Sequence, residues 1–457
     1  MISSSNNQKT KVVIAGASGF VGKALLETLG DNYALTGISR SGRSSNSHCR
    51  WVKGDLFSML DCELALEGQD YAIYLVHSML PSAKLVQGDF QDYDLVLADN
   101  FARAAAKTGI KKIIYLGGII PEGESLSPHL ESRLEVERTL ASSGVPVISL
   151  RAGLIIGREG SSFQIMRNLV RKLPIMFCPS WTATLSSPID LRDVCQIIAW
   201  SLDRTENETH VYDIGGADTL SYKEMMQRLA KKLNLMRIMF PVPFFSPGLS
   251  KLWVTLITGA PKNLVYPLVE SLKSQMIPRA AQKISHIELK NFEQMLDHAL
   301  SQEVSKAKAF SKNISLPENE VRSIQRLETP KLSNATAVAN FYFEWLPHFL
   351  NPLIKVIKIE NRVDFKLLGL KTPMLSLEYS PERSSPDRQL FYLQNCLLAY
   401  GEGRGRLEFR DSIDNRVTIA AIHEFKPKLP WFIYKYTQAL VHLWVMKSFR
   451  KVVKKRL

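Results

Sequence analysis

Short runs of β-branched and apolar residues alternate with longer segments of helical spacing across residues 1–150. KVVIA from Lys11, YALTGIS from Tyr33, YAIYLV from Tyr71, KIIYLG from Lys112 and VPVISL from Val145 predict buried strands. Between them apolar positions recur at three-and-four spacing, as at Phe101, Ala104, Ala105 and Ile110, which predicts helices. Strands that are apolar on both faces and alternate with helices predict an α/β fold built on a doubly wound parallel sheet. Its crossovers should be right-handed, with a ligand crevice outside the carboxyl ends of the strands.

From Arg151 to about Lys290 the pattern loosens, and nine prolines from Pro174 to Pro278 interrupt it. DVCQIIAWSL from Asp193 and YKEMMQRLAKKL from Tyr222 still predict helices. This stretch reads as the end of the sheet plus a small substrate lobe, about 205–300, that closes over a pocket. The N-terminal domain is therefore expected to span 1–300. Residues 301–334 are polar and basic and read as a linker. A separate unit is expected over 335–457. It ends in the alternating segments GRLEFRD from Gly405 and RVTIAAIHEF from Arg416, then a long helix from about Trp431, which predicts an α+β domain.

Directly after the first predicted strand comes Gly16-Ala17-Ser18-Gly19-Phe20-Val21-Gly22, opening a helix. In a dinucleotide-binding turn the first glycine makes the bend, the second admits the pyrophosphate and the third lets helix and strand pack closely. The spacing is GxxGxxG rather than GxGxxG, and a plain strand-to-helix turn is the competing reading. An acid that would bind a ribose 2′-hydroxyl is missing: Ser39, Arg40, Ser41 and Arg43 follow the second strand, with no carboxylate between Asp31 and Asp55. A guanidinium there suits a 2′-phosphate, so NADP (NADPH) is expected over NAD, although a solvated surface loop reads the same way.

Composition changes the picture modestly. The chain has 457 residues, 45% hydrophobic and 22% charged, which is globular and excludes disorder and collagen. Lys and Arg number 58 against 44 Asp and Glu, a formal charge of +14 that favours anionic partners. No helix-turn-helix, zinc-finger or RNP signature accompanies it, so no nucleic-acid partner is expected. The five cysteines are scattered without a CxxC pair and read as buried small hydrophobes, and no His/Glu cluster has metal-site spacing, so no metal is expected. Neither a signal peptide nor an apolar run of transmembrane length stands out, which predicts a cytoplasmic protein.

GASGFVG, GDL at Gly54–Leu56 and LRAGLIIG at Leu150–Gly157 resemble an atypical extended short-chain dehydrogenase/reductase of the NmrA-like, epimerase-like group. YLVHSM (Tyr74–Met79), YLGG (Tyr115–Gly118), HLESRLEVE (His129–Glu137) and PIDLRDV (Pro188–Val194) resemble an NAD(P)H-binding bacterial subgroup of it. The resemblance covers about residues 11–300 and implies a Rossmann fold. It also implies that Gly16, Ser18, Gly19, Phe20, Val21 and Gly22 line the pyrophosphate, and that Arg40 holds the 2′-phosphate. Asp55 and Leu56 would flank the adenine, with Val76 and His77 beside the ribose, His77 being equally readable as a structural histidine. From Leu407 onward the chain is similar, more weakly, to the helix-grip START-like (SRPBCC) domains that follow in that subgroup.

The family's Ser and Tyr-x-x-x-Lys are not matched. The serine position reads Gly117 or Gly118, and His129 and Arg133 stand at the four-residue spacing of the Tyr and Lys. Such a pair shares one helix face. A histidine can serve as an acid near neutral pH, whereas a permanently charged arginine is a poor proton relay. Helix-start capping or cofactor contact is the alternative for His129. Sugar epimerisation is therefore disfavoured.

The stretch from Phe240, rich in Pro, Phe and Trp, reads as a lid over an apolar pocket or as core packing. Interfacial membrane contact through Phe244, Phe245 and Trp253 is a third reading. The last helix places Trp444, Val445, Phe449 and Val452 on one side and crowds Lys447, Arg450, Lys451, Lys454, Lys455 and Arg456 at its end. That pattern suits peripheral contact with an anionic membrane, and equally a favourable macrodipole. The functional expectation is an NADPH-dependent reductase of a small hydrophobic carbonyl, enone or quinone. The alternative is a non-catalytic redox sensor or scaffold, as NmrA-like regulators and the Rossmann accessory subunit of respiratory complex I exemplify.

Overall fold

The structure is a computed structural model that describes residues 9–77, 83–123, 125–205, 208–242, 247–280, 284, 287–301, 320–329, 334–401, 404–413 and 417–456. The chain forms two compact units. Met1–Met79 with Leu97–Lys312 make the first, and Leu80–Val96 with Asn313–Leu457 the second.

The first unit is built on seven parallel strands: β1 (Lys11–Ala15), β2 (Ala34–Ser39), β3 (Arg50–Lys53), β4 (Tyr71–Tyr74), β6 (Lys112–Gly118), β7 (Val147–Ala152) and β8 (His210–Ile214). β5 (Leu85–Gln87) belongs to the second unit. The order is β8-β7-β6-β4-β1-β2-β3, and every neighbouring pair is parallel. Val12, Ile14, Ile73, Ile114 and Ile148 are fully buried, as strands covered on both faces require. The chain reverses direction across the sheet between β1 and β4, which makes the carboxyl edge there the switch point where ligands bind. Helix α1 (Phe20–Leu29) packs on α6 (Leu191–Asp203) through a core that includes Leu25, Leu29, Val194 and Ile198.

Besides α2 (Met59–Leu66), α3 (Phe90–Thr108) and α10 (Phe292–Ser301), four helices matter to the site: α4 (Pro128–Ala141), α5 (Ser161–Lys172), α7 (Tyr222–Lys232) and α9 (Lys262–Ser271). Ser127 caps α4, its Oγ accepting from the Leu130 N–H at 3.4 Å, with Pro128 in the first helical position. A buried bidentate pair, Arg151 Nε and Nη2 to Glu137 at 2.9 and 2.6 Å, fastens α4 to β7. The small lobe has its own core, in which Phe163, Leu169, Met225, Leu229, Val265 and Phe292 meet. Phe163, Met166 and Leu169 on one face of α5 belong to that core, as do Leu154 and Ile156 ahead of it.

In the second unit β9 (Val321–Leu327), β10 (Ile354–Ile359), β11 (Arg362–Leu367), β12 (Leu375–Tyr379), β13 (Arg388–Leu393), β14 (Arg406–Asp411) and β15 (Thr418–Phe425) form one sheet with β5. Its order is β10-β11-β12-β13-β14-β15-β9-β5, antiparallel throughout except that β5 joins β9 in parallel. α11 (Ala335–Phe349) connects β9 to β10, and α12 (Trp431–Tyr436) and α13 (Gln438–Arg456) follow β15. An aromatic core fills the space between helices and sheet, with Tyr342 5.0 Å from Phe449 and Phe343 4.8 Å from Phe391. A C-terminal α+β region is therefore present.

Three features differ from the reading of the sequence. β9 lies inside the expected linker, with Val321, Ile324 and Leu327 buried, and Leu80–Val96 joins the same unit from within the first. Arg322 and Arg326 in β9 masked its alternation: Arg322 is buried, and Arg326, half-buried, pairs with Asp92 at 2.5 Å. The expected long helix from Trp431 is broken at Thr437, whose backbone (φ −126°, ψ −85°) is not helical. Finally, the buried face of α13 is Val445, Met446, Phe449 and Val453, whereas Trp444 is exposed. Phe244 and Phe245 lie outside the described residues.

Candidate functional site

The glycine turn sits where β1 ends. Gly16 has φ +90°, a conformation that favours glycine, and its carbonyl accepts from the Gly19 N–H at 2.9 Å. Gly19 is the N-cap of α1 with no side-chain cap, and the first turn of α1 holds no acid. The leading N–H groups and the positive end of the helix dipole are left for an anion. At Gly22 a Cβ would lie 2.4 Å from the Gly16 carbonyl oxygen and 2.6 Å from the Ala17 Cα, so the helix meets the turn too closely for any side chain. Ser18 and Val21 are half-buried beside it. The Phe20 ring packs on the turn at Gly157 and Gly160, where a Cβ would stand 2.7 and 3.1 Å from it. Only the Phe20 backbone remains for a phosphate.

The other expected cofactor residues follow the neighbouring strands on the same edge. Arg40 is exposed one residue past β2, and among the described residues no carboxylate pairs with it. Beyond β3, the Asp55 N–H donates to Asp61 at 2.9 Å and its own carboxylate accepts from the Phe57 N–H at 3.2 Å. Leu56 is buried, with its carbonyl held by Asn100 at 2.8 Å. Val76 and His77 follow β4, the first half-buried and the second exposed.

β6 lies two strands from β1, about 10 Å across the sheet, and carries the other half of the site. Arg133 on α4 hydrogen-bonds His77 Nδ1. A guanidinium only donates, so Nδ1 accepts and the neutral His77 ring carries its proton on Nε2. The Tyr115 hydroxyl donates to the Arg133 carbonyl at 3.1 Å, which supports α4 from beneath. Arg133 is buried; burial lowers its pKa to about 10, which still leaves it charged at neutral pH. His129 packs 5.1 Å from the His77 ring. Its Nδ1 is buried without a hydrogen-bond partner among the described residues, and burial pushes its pKa down to about 4. His129 in this environment is therefore neutral near pH 7. Gly117 offers no hydroxyl, and a Cβ there would stand 2.7 Å from the Tyr115 ring.

Gly118 and His129 open onto a cavity of about 140 Å³ walled by Met166, Trp181, Tyr222, Met226, Val265 and Leu272 among others. α8 (Pro247–Thr258) and α9 close it with Val254, Val265 and Val269, residues that also belong to the lobe core. Lid and core packing are thus one structure here. Tyr115, Trp181 and the Glu137–Arg151 pair were not singled out from the sequence. Glu137 was findable, since it stands four residues after Arg133 on the same helix. All five cysteines are free and buried. No helix among the described residues is long and apolar enough to cross a membrane.

Comparison with known proteins agrees with this fold. The Citrobacter sp. triphenylmethane reductase structure is 16% identical, with a TM-score of 0.50 over 64% of this chain and 99% of that one. A Staphylococcus aureus nucleoside-diphosphate-sugar epimerase is 13% identical, with the same score over 63% and 99%. At such identities the likeness shows the fold alone. The auxiliary protein GraX of Staphylococcus aureus (strain NCTC 8325 / PS 47) is 32% identical over 121 residues, 26% of this chain, and the chain spans 39% of that relative's length. Residues 12–215, on the seven-stranded parallel sheet, match the profile of the NAD dependent epimerase/dehydratase family.

Proposed function

We propose that the first unit binds NADP(H) and reduces a small apolar acceptor of the enone or quinone class. The observation that carries this is the apolar cavity bounded by Gly118 and His129, on the sheet edge that also bears the uncapped glycine turn. The Gly16–Gly22 turn suits the pyrophosphate, Arg40 the 2′-phosphate, and Val76 and His77 the ribose, His77 being oriented by Arg133. When bound, the dinucleotide supplies a hydride. The protein excludes water with the cavity's apolar wall, and neutral His129 offers a hydrogen bond to an acceptor oxygen rather than a full proton. That help suffices for acceptors whose hydride adduct is a weakly basic enolate or hydroquinone monoanion, which takes its proton from water on release, and is poor for a sugar alkoxide. The NmrA-like branch of short-chain dehydrogenases fits this reading. The second unit fits a START-like (SRPBCC) domain, because β9, ahead of α11, pairs with β15, and the long helix α13 follows β15.

One observation favours a second reading, a dinucleotide sensor without turnover: neither Gly117 nor neutral His129 replaces the missing Ser and Tyr. NADPH oxidation followed against an enone and quinone panel separates the two. Turnover that Met226→Trp abolishes, by filling the cavity while NADPH binding persists, is expected. Tight NADPH binding with no acceptor consumed would establish the sensor.

A further inference from the structure

We propose that the second unit docks on an anionic lipid bilayer through α12 and the first half of α13. Phe432 is 74% exposed, Trp444 53% and Val441 54%, and Tyr436 and Leu440 beside them are exposed as well. Isolated exposed apolar residues need no explanation, but this group is contiguous along two successive helices. It continues onto the neighbouring surface. The Trp444 ring packs 4.7 Å from Phe349 at the end of α11, and the exposed Leu353 and Leu368 are joined there by a backbone hydrogen bond of 3.1 Å.

Charge identifies the occupant. No acid occurs after Glu424, whereas Lys426 and Lys428 precede the patch, Lys435 lies within it and Lys447, Lys451 and Lys455 follow on the exposed side of α13. Glu328 pairs with Arg450 and Lys454, at 3.1 and 2.6 Å, so it offsets part of the charge at the far end. Among the described residues no carboxylate pairs with Lys447, Lys451 or Lys455. A second copy of this surface would set like charges against each other, while anionic headgroups complement them and aromatic residues suit the interface.

A further observation separates a bilayer from a water-soluble partner. Val441 is exposed and also lines an internal cavity of about 160 Å³, with Leu346, Leu350, Ile354, Tyr342 and Val445. The outer apolar surface is thus continuous with an apolar interior behind α13. His442, one residue on, faces inward, its Nε2 3.1 Å from the Ser323 Oγ, and burial pushes its pKa down to about 4. At neutral pH it adds no charge to the docking face.

The test is co-sedimentation of the full chain with phosphatidylcholine vesicles and with vesicles containing phosphatidylglycerol. Binding to the anionic vesicles alone is expected, weakening as salt rises. Trp444→Glu should weaken it at least ten-fold at a temperature where circular dichroism shows the variant folded, because about half of the side chain is exposed. Lys447→Glu and Lys451→Glu should each lower it by about five-fold or more. Absence of binding to anionic vesicles would overturn the proposal. So would binding that Trp444→Glu leaves intact, or a dimer in solution that this variant dissociates, which would assign the surface to a second copy. NADPH oxidation by the Trp444→Glu variant should equal that of the parent chain, so failure here is distinct from failure of the reductase reading.

Discussion

Replacing Gly22 by Ala tests the glycine turn where the structure is tightest. The added methyl would stand 2.4 Å from the Gly16 oxygen, 2.6 Å from the Ala17 Cα and 2.7 Å from the Ala17 carbonyl carbon. All three are backbone atoms, and carbon contacts are comfortable only from about 3.5 Å, so α1 must withdraw by about 1 Å. Overpacking of this kind costs ~1–3 kcal/mol, and the better helix propensity of Ala returns at most ~1 kcal/mol. A net loss of roughly 0–3 kcal/mol leaves the unit folded. Binding should suffer more. Withdrawing the N-terminal N–H groups removes most of two hydrogen bonds to an anion, each ~1.5–3 kcal/mol, or a loss of about 100-fold or more. Calorimetric titration of NADPH measures this directly, at a temperature where circular dichroism shows the variant folded. Gly109→Ala is the control. Its φ of +74° strains any other residue, but its Cβ meets nothing within 4 Å and it lies at the opposite end of β6, before Lys112. It should lower the melting temperature and leave NADPH affinity intact. The reasoning is refuted if Gly22→Ala binds NADPH like the parent chain, or if both variants lose affinity in step with stability.

Arg40→Ala should weaken NADPH by about 10- to 100-fold and leave NADH and the melting temperature unchanged; equal losses for the two nucleotides would remove the 2′-phosphate assignment. Glu137→Ala leaves the buried Arg151 charge without its partner, so chemical denaturation should show a loss of about 3–5 kcal/mol, and a loss below 1 would contradict a structural role for the pair. Because His129 and His442 are held neutral with pKa values near 4, the unfolded chain takes up their protons first, at about 6.5. Melting temperature should therefore fall as pH drops from 6.5 toward 4, and replacing both by Gln should flatten that slope.

Much of the first unit was legible because its strands are apolar on both faces, so Lys11–Ala15, Tyr71–Tyr74 and Val147–Ala152 stand out from their polar surroundings. β3, Arg-Trp-Val-Lys at the sheet edge, and β8 carry too few apolar residues for that signal. The expected site residues follow the ends of β1, β2, β3, β4 and β6, because a local glycine turn and the parallel topology together fix the edge. What the sequence hid depends on distant partners. The protonation of His129 is set by burial, the orientation of His77 by an arginine 56 positions away, and the placement of β9 by the burial of Arg322 and the pairing of Arg326 with Asp92 in a polar stretch. Phe20 and Leu56 sit within recognisable motifs, yet their side chains face glycines 157 and 160 and the core.

The central claim is that the carboxyl edge holds a phosphorylated nicotinamide dinucleotide beside the cavity at His129. The measurement is a calorimetric titration of NADPH and of NADH in the presence and absence of a quinone, with absorbance at the reduced nicotinamide band recorded on the same samples. The account predicts tighter binding of NADPH than NADH, and oxidation of NADPH only when the quinone is present. Heats indistinguishable from dilution for both nucleotides would contradict it.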